Sequence, residues 1–275
     1  LFSSQPKEPA NEGGRKIEEK NFDILKYDGV RAQKIHKLAY AIRCFEEALN
    51  IQEDFETRSF LVAAYVASRK PEEALTVLDK MRELKPTDVD TLLTRIQVLF
   101  MLDKDTEVIP DCQAIIAIQP ENATAFYLMA RAKHVTNDLL GAIADLTRAV
   151  TLREDFADAY QLRAEILLKR VGFEENLSGA DLIITGEGKA DRQTLMGKIP
   201  GHILKQGLRH HIPVILIAGR IEDKELLMEA GFKGLYTITP DSMTLSEAMK
   251  PEVAKGNIRQ LISQLAATYL ESLIG

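Results

Sequence analysis

A repeat of 34 residues runs through the first part of the chain and constrains its fold more than any other feature. Three segments align without gaps, at 55–88, 89–122 and 123–156. Residues of similar character recur at fixed positions in these segments, among them Ala74, Val108 and Ala142. Self-similarity at a fixed period is typical of an array of stacked structural units, in which each unit contacts its neighbours.

Each copy predicts two amphipathic helices, because apolar residues recur at i, i+3, i+4 and i+7 and a turn signal such as 136–138 separates the two runs. A degenerate copy precedes the three segments, with Ala41, Phe45 and Ala48 at the corresponding places, and its first helix is predicted to be eroded. After Phe156 a fifth copy begins, but the pattern ends near Lys169 before a second helix. The prediction is four repeats plus one extra helix over residues 22–169.

This pattern resembles the tetratricopeptide repeat (TPR) family. The position of the family's tryptophan holds Leu92, Phe126 and Tyr160, and the position of its glycine holds Ala130 or Ala164. The resemblance implies an all-α solenoid whose concave face binds a protein or a peptide.

Binding on such a face is expected from outward cations on the first helices. The candidates for protein binding are Arg58, Arg95, Arg131 and Lys133. Family members that bind the carboxylate tails of chaperones carry Lys, Asn and Arg at fixed places. This chain has Ser59, Ala63, Thr94 and Leu128 there, so chaperone-tail binding is not predicted.

From Val171 the sequence changes character, since its apolar runs become short, continuous and β-branched. Such runs predict strands that are buried on both faces, as in a parallel sheet. The predicted strands cover 181–185, 214–218 and 235–239, and the predicted helices cover 199–209, 222–230 and 253–273. The alternation predicts an α/β parallel-sheet, Rossmann-like partial domain at 170–275, so that the whole chain is multidomain.

The segment 186–194 is predicted to be a loop at the carboxyl edge of this sheet, where ligands bind in such folds. Glu187 and Asp191 are candidate metal ligands, because Mg²⁺ prefers one or two carboxylates together with phosphate oxygens and water. Either carboxylate could instead accept a proton from an attacking hydroxyl, and Lys198 could contact phosphate. A solvated turn is the alternative, and the loop is not a Walker loop, because GxxxxGK[ST] is missing.

The run 180–188, ADLIITGEG, followed by Asp191, Gln193-Thr194 and Gly197-Lys198, is similar to the C-terminal portion of the bacterial glycerate kinase family. The resemblance covers about 171–275. It implies Mg²⁺-dependent transfer of the γ-phosphoryl group of ATP to a hydroxyl of glycerate, in a cleft between two domains. It assigns catalytic roles to Asp191, Glu187 and Lys198, and substrate or nucleotide binding to Thr185, Gly186, Gly188, Gln193 and Thr194.

The family's N-terminal motifs, a Ser-Phe-Lys stretch and a glycine-rich segment, are not found in residues 1–170. Phosphoryl transfer depends on positioning and on cationic stabilisation of the transferring group, so we expect the kinase segment to be incomplete on its own. Two hypotheses follow. The chain is a TPR interaction module joined to a glycerate kinase segment, or it is an ATP-dependent glycerate kinase in which the repeats serve regulation or assembly and a homo-oligomer supplies what is missing.

Composition adds limits to these hypotheses. With a net charge of −6 and no dense basic patch, nucleic-acid binding is not expected. No apolar run is long enough to predict a membrane span, and two cysteines that are predicted not to form a disulfide fit a reducing, cytoplasmic compartment. Residues 1–21, rich in Ser, Pro, Lys, Glu and Gly, are predicted to be a flexible lead.

Overall fold

The computed structural model describes residues 12–240 and 242–274. The chain divides into two compact units between Asn137 and Asp138. This division falls one helix pair before the predicted change of fold near residue 170, so the last two repeat helices belong to the same unit as the sheet. The predicted flexible lead lies outside the described residues up to position 11, and from Glu12 onward the chain is helical instead.

Seven helices form the described part of the first unit. They are α1 (Glu12–Lys34), α2 (Leu38–Ile51), α3 (Phe55–Ala67), α4 (Pro71–Leu84), α5 (Val89–Met101), α6 (Asp105–Ile118) and α7 (Ala123–Val135). Each of these helices packs against the next one along the chain. This arrangement confirms the predicted helical-repeat solenoid, although the expected erosion of the first helix is wrong, because α1 is 23 residues long.

The N-caps of the first helices and the turns between the helices of a repeat also recur every 34 residues. Asp54, Asp88 and Asn122 are the N-caps of α3, α5 and α7, and each side chain accepts a hydrogen bond from the backbone N–H three residues later. Such caps satisfy backbone donors that have no partner within the helix. The turns between the two helices of a repeat also recur, with positive φ at Arg69, Asp103 and Asn137.

The core of the first unit is built from apolar residues on the facing sides of these helices, such as Phe45, Leu78 and Leu99, which are at most 1% exposed. Close packing depends on Gly29, because a Cβ atom there would lie 2.5 Å from the ring of Phe45. The absence of a side chain therefore lets α1 approach α2.

The second unit begins with two helices and continues as an α/β layer. Its elements are α8 (Leu139–Leu152), α9 (Ala157–Arg170), β1 (Ile183–Ala190), α10 (Ile199–Arg209), β2 (Val214–Ile221), α11 (Lys224–Glu229), β3 (Gly234–Thr237), α12 (Leu245–Ala248) and α13 (Pro251–Ile274). Within this unit, α9 packs against both α8 and α10.

The three described strands form a parallel sheet in the order β1-β2-β3. On one sheet face, Ile183, Val214 and Leu216 pack with Leu204 of α10 in a second apolar cluster. On the other face Ile215 is fully buried but its neighbour Ile184 is 43% exposed, so the prediction of burial on both faces is wrong for β1. The predicted α/β parallel-sheet segment is thus confirmed. Across the residues that the structure describes, no helix has the length and apolar character needed to cross a membrane.

Candidate functional site

The chain around the predicted loop remains a strand for longer than expected. β1 continues through Gly186, Glu187 and Lys189 to Ala190, because this stretch pairs in parallel with β2 as far as Ile221. The prediction that 186–190 is loop is therefore wrong. The consequence for the site is that Glu187 is held by a sheet, with its position fixed by backbone pairing.

Glu187 lies on the face of β1 that packs against α10. Its carboxylate accepts a hydrogen bond from the hydroxyl of Thr194, which is fully buried. Burial raises the pKa of the Glu187 carboxyl, and the Thr194 hydrogen bond and the positive charge of Lys198 oppose that effect. A carboxyl with a raised pKa exchanges its proton nearer to neutral pH than an ordinary glutamate does.

Asp191 follows β1 directly and caps a short 3₁₀ turn, Arg192–Leu195. Its Oδ1 accepts a hydrogen bond from the backbone N–H of Gln193 at 2.9 Å, while its own N–H donates to the hydroxyl oxygen of Thr194 at 3.1 Å. The Thr194 hydroxyl thus contacts both the Glu187 side chain and the Asp191 backbone. One buried hydroxyl holds the two predicted acidic residues in a common site.

Lysine side chains flank these carboxylates. The ammonium group of Lys189 lies 3.4 Å from Asp191 Oδ2 and 3.0 Å from Glu222 Oε2. Lys198 is the N-cap residue of α10, and its charge acts on Glu187. The site therefore combines carboxylates with cations that could neutralise a phosphate group.

Three residues that were predicted to bind a ligand, Thr185, Gly186 and Gly188, lie along β1. Thr185 is only 6% exposed, so its side chain is part of the buried face of β1. Gly188 has no atom within 4 Å of the place where a Cβ would stand, so this side of the strand is open. Gly186 has less room, since a Cβ there would lie 3.0 Å from Ile217.

Glu222 and Asp223 were not predicted from the sequence as site residues, and they directly follow the end of β2. Asp223 Oδ2 accepts a hydrogen bond from the backbone N–H of Arg192 at 3.1 Å, and this contact joins the segments that follow β1 and β2. The available signal was position, because both acids follow β2 as Asp191 follows β1. Carboxyl ends of neighbouring parallel strands lie at the same sheet edge.

The carboxylates of this site could hold a magnesium ion only together with ligands from outside the protein. Among the described residues no group of three or more His, Cys, Asp or Glu side chains could hold a metal ion. Glu187 and Asp191 supply two carboxylates in one site, and Mg²⁺ is commonly held by one or two carboxylates together with substrate phosphates and water. The residues present therefore suit a magnesium ion that arrives with a nucleotide better than an all-protein metal cage.

Arg95 does not occupy the predicted outward position, because it is only 6% exposed. It lies at the repeat position held by Leu61 in the preceding copy, where the side chain enters the core. Its guanidinium is paired with Asp79 at 2.7 Å and with the fully buried Asp111 at 2.6 Å. The prediction that Arg95 faces outward is wrong, since two carboxylates compensate its burial.

The other three predicted protein-binding residues lie nearer the surface. Arg58 pairs with Glu53, and the exposed Arg131 lies with its guanidinium carbon 4.2 Å from the centroid of the Phe100 ring. Lys133 is partly exposed on α7. A role of these residues in protein binding stays a prediction.

Comparisons with known proteins support both resemblances. The Glycerate kinase family matches residues 149–270 of this chain. A glycerate kinase of Bacillus cereus is 40% identical over 106 residues, which cover 38% of this chain and 27% of that protein. A glycerate 2-kinase of Escherichia coli is 28% identical over 155 residues, which cover 55% of this chain and 40% of that protein.

The helical part is similar in fold to solved structures of MamA. A crystal structure of MamA protein superposes with a TM-score of 0.52 at 20% identity, over 58% of this chain and 87% of that chain. The structure titled MamA 41-end, from Desulfovibrio magneticus RS-1, gives a TM-score of 0.51 at 19% identity, over 57% and 90% of the two chains. At this identity the likeness concerns the fold alone.

Proposed function

We propose that this chain is a helical-repeat protein-binding module joined to a segment that forms one wall of a glycerate kinase site. The chain carries a glycerate kinase segment and TPR-like helices, but it spans about a quarter of the length of the B. cereus enzyme, at 27%. The whole enzyme's activity is therefore part of the proposal. The observation that carries it is the Thr194 hydroxyl, which brings Glu187 and Asp191 into one site.

In this proposal Asp191 accepts the proton from the glycerate hydroxyl that attacks the γ-phosphorus of ATP. Asp191 follows β1 directly, and its Oδ2 lies 3.4 Å from the ammonium group of Lys189. Glu187 and Asp191 would hold the magnesium ion that accompanies the nucleotide, and this ion would neutralise phosphate charge when bound. Lys198, at the start of α10, would contact the transferring phosphoryl group.

The test is ADP release by the purified chain in Mg²⁺-ATP, with and without D-glycerate. Asp191→Asn removes the proposed base, and Asp181→Asn is the matched control, because Asp181 is exposed and precedes β1 at the opposite end of the strand. We expect no glycerate-dependent release from the chain alone, and Mg²⁺-dependent ATP binding that Asp191→Asn weakens and Asp181→Asn does not. Equal ATP binding by all three proteins would contradict the assignment of this site.

The second candidate is an ATP-dependent glycerate kinase assembled from copies of this chain, with the repeats serving regulation or assembly. The observation that favours it is the hydrogen-bonded group of Glu187, Thr194 and Asp191, which Lys198 follows at the start of α10. Glycerate-dependent turnover that rises with protein concentration and is lost in Asp191→Asn would select this candidate over the first.

Protein binding by the repeats is supported by the fold of the first unit and by exposed residues of its first helices. Selection of peptides from a displayed library on the wild-type chain and on Arg131→Ala would test it. We expect enriched peptides to bind the wild-type chain more tightly than the variant. Enrichment of the same peptides to the same level on both proteins would exclude Arg131 from the binding surface.

A further inference from the structure

Arg163 and Arg95 occupy the same position in two different repeats. The residues at this position, 34 apart, are Leu61, Arg95, Met129 and Arg163. An apolar side chain therefore serves in two copies and an arginine in the other two. The surroundings of the Arg95 and Arg163 guanidinium groups can therefore be compared at the same position of the repeat.

Arg95 shows what such an arginine requires. Asp79 of the preceding helix α4 accepts from its Nε at 2.7 Å, and Asp111 of the following helix α6 accepts from its Nη1 at 2.6 Å. Both helices that flank α5 thus supply a carboxylate. The buried positive charge is compensated by direct, charge-assisted hydrogen bonds.

Arg163 has neither of these carboxylates. The residue that corresponds to Asp79 is Thr147 of α8, whose hydroxyl oxygen lies 3.4 Å from Nη1 of Arg163. The residue that corresponds to Asp111 in sequence is Gly179. It supplies no carboxylate and lies outside any α-helix, because the second helix of this repeat is missing. The guanidinium carbon also lies 5.3 Å from the centroid of the Tyr160 ring, and among the described residues no carboxylate acts on Arg163.

Arg163 is nevertheless partly buried, and burial lowers the pKa of its guanidinium, opposed only by the Tyr160 side chain. A partly dehydrated charge without a counter-charge is unfavourable, and leucine or methionine fills this position elsewhere in the same chain. An arginine at this position is accounted for if a carboxylate reaches it from outside the chain.

We propose that Arg163 binds a carboxylate of a protein partner, with Thr147 as a second hydrogen-bonding group. The carboxylate would take the place that Asp111 takes beside Arg95. A planar carboxylate is the fitting ligand, because both groups that hold Arg95 are aspartates and the guanidinium fork matches carboxylate geometry. This inference rests on the proposed role of the repeats as a protein-binding module.

The experiment follows the Nε–H signals of arginine in ¹⁵N NMR spectra while sodium acetate replaces sodium chloride at constant ionic strength. Arg163→Gln assigns the Arg163 signal, and Arg148→Gln is the matched control, because Arg148 is exposed on the neighbouring helix α8. We expect a saturable shift of the Arg163 signal at millimolar acetate. The Arg95 signal should not move, because its carboxylates are already in place.

A shift of the Arg163 signal no larger than that of Arg148 would overturn the proposal. Inorganic phosphate is the second probe, and binding of phosphate as tight as that of acetate would overturn the assignment to a carboxylate. Acetate binding can be present even if the displayed-peptide selection fails, so failure of this site and failure of the proposed protein-binding function are distinguishable.

Discussion

At the scale of single residues, two positions of the repeat hold apolar side chains in one copy and a buried ion pair in the next. Leu61 and Val77 occupy the places that Arg95 and Asp111 occupy one repeat later. Arg95 is 6% exposed and Asp111 is fully buried. The chain therefore contains both an apolar pair and an ion pair at these two repeat positions, and two substitutions would convert the ion pair into the apolar pair.

Replacement of Asp111 alone and replacement of both Arg95 and Asp111 should change the free energy of unfolding by different amounts. Asp111→Val alone leaves a buried guanidinium with one fewer carboxylate, so we expect the free energy of unfolding to fall by about 3 kcal/mol. The double variant Arg95→Leu/Asp111→Val copies the preceding repeat and should lose far less, because Asp79 and Glu107 are about half exposed and can be hydrated. Urea unfolding of the wild type, both single variants and the double variant would measure this; additive losses would contradict it.

Glu187 offers a prediction about pH. Because burial raises the pKa of its carboxyl in the folded state, ionisation of Glu187 opposes folding. The unfolded carboxyl ionises first as pH rises through about 4.3, so this group destabilises the fold above that range and not below it. Glu187→Gln should therefore raise the free energy of unfolding at pH 7, by less than about 1 kcal/mol because the glutamine oxygen still accepts a hydrogen bond from Thr194.

The gain from Glu187→Gln should disappear when the two proteins are compared near pH 3.5, where the wild-type carboxyl is protonated in both states. Thermal scans at the two pH values decide the matter. A gain of the same size at both pH values would show that hydrogen bonding, and not the charge of Glu187, controls the difference.

At the scale of elements, close contact between α10 and the turn after β1 decides how the site is held. A Cβ at Gly201 would lie 2.2 Å from the backbone oxygen of Thr194. The helix can therefore approach the turn only because this residue has no side chain. Thr194 in turn contacts Glu187, so the packing of a helix is transmitted to a site residue.

Glycine-to-alanine substitutions in two helices should have opposite effects. Gly201→Ala forces α10 away from Thr194, and we expect a loss of at least about 1 kcal/mol and weaker Mg²⁺-ATP binding. Gly256→Ala in α13 is the control, since no atom lies within 4 Å of its Cβ position and alanine favours a helix by up to about 1 kcal/mol. Chemical unfolding of both variants would check this; stabilisation by Gly201→Ala would show that the contact at Thr194 relaxes without cost.

At the scale of the whole molecule, the chain has two compact units, and each has an apolar cluster of its own. Leu99 is fully buried in the first cluster and Leu216 in the second. Truncation of either to alanine should cost about 2 to 5 kcal/mol in its own unit. Hydrogen exchange followed by mass spectrometry should show faster exchange in peptides of the substituted unit; equal acceleration in both units would contradict separate cores.

The repeat could be predicted from the amino-acid sequence alone. A 34-residue period specifies the helix pairs, and the turn residues Arg69, Asp103 and Asn137 recur with it, because helix packing and capping are local properties that each copy repeats. The sequence also identified α10, whose bounds, Ile199–Arg209, agree with the prediction. The resemblance to the glycerate kinase family pointed to Glu187 and Asp191 because both lie in the short string 180–198.

Contacts between distant segments determine which residues outside that string adjoin the candidate site and which side chains are buried. The extension of β1 to Ala190 depends on pairing with β2, and the contact of Asp223 with Arg192 depends on two strand ends meeting at one edge. The burial of Arg95 depends on acids that lie 16 residues before and after it, on two other helices. Such contacts join residues far apart in sequence. They cannot be predicted from local patterns, because the apolar pattern of one helix is the same whether or not the neighbouring helix carries an acidic residue.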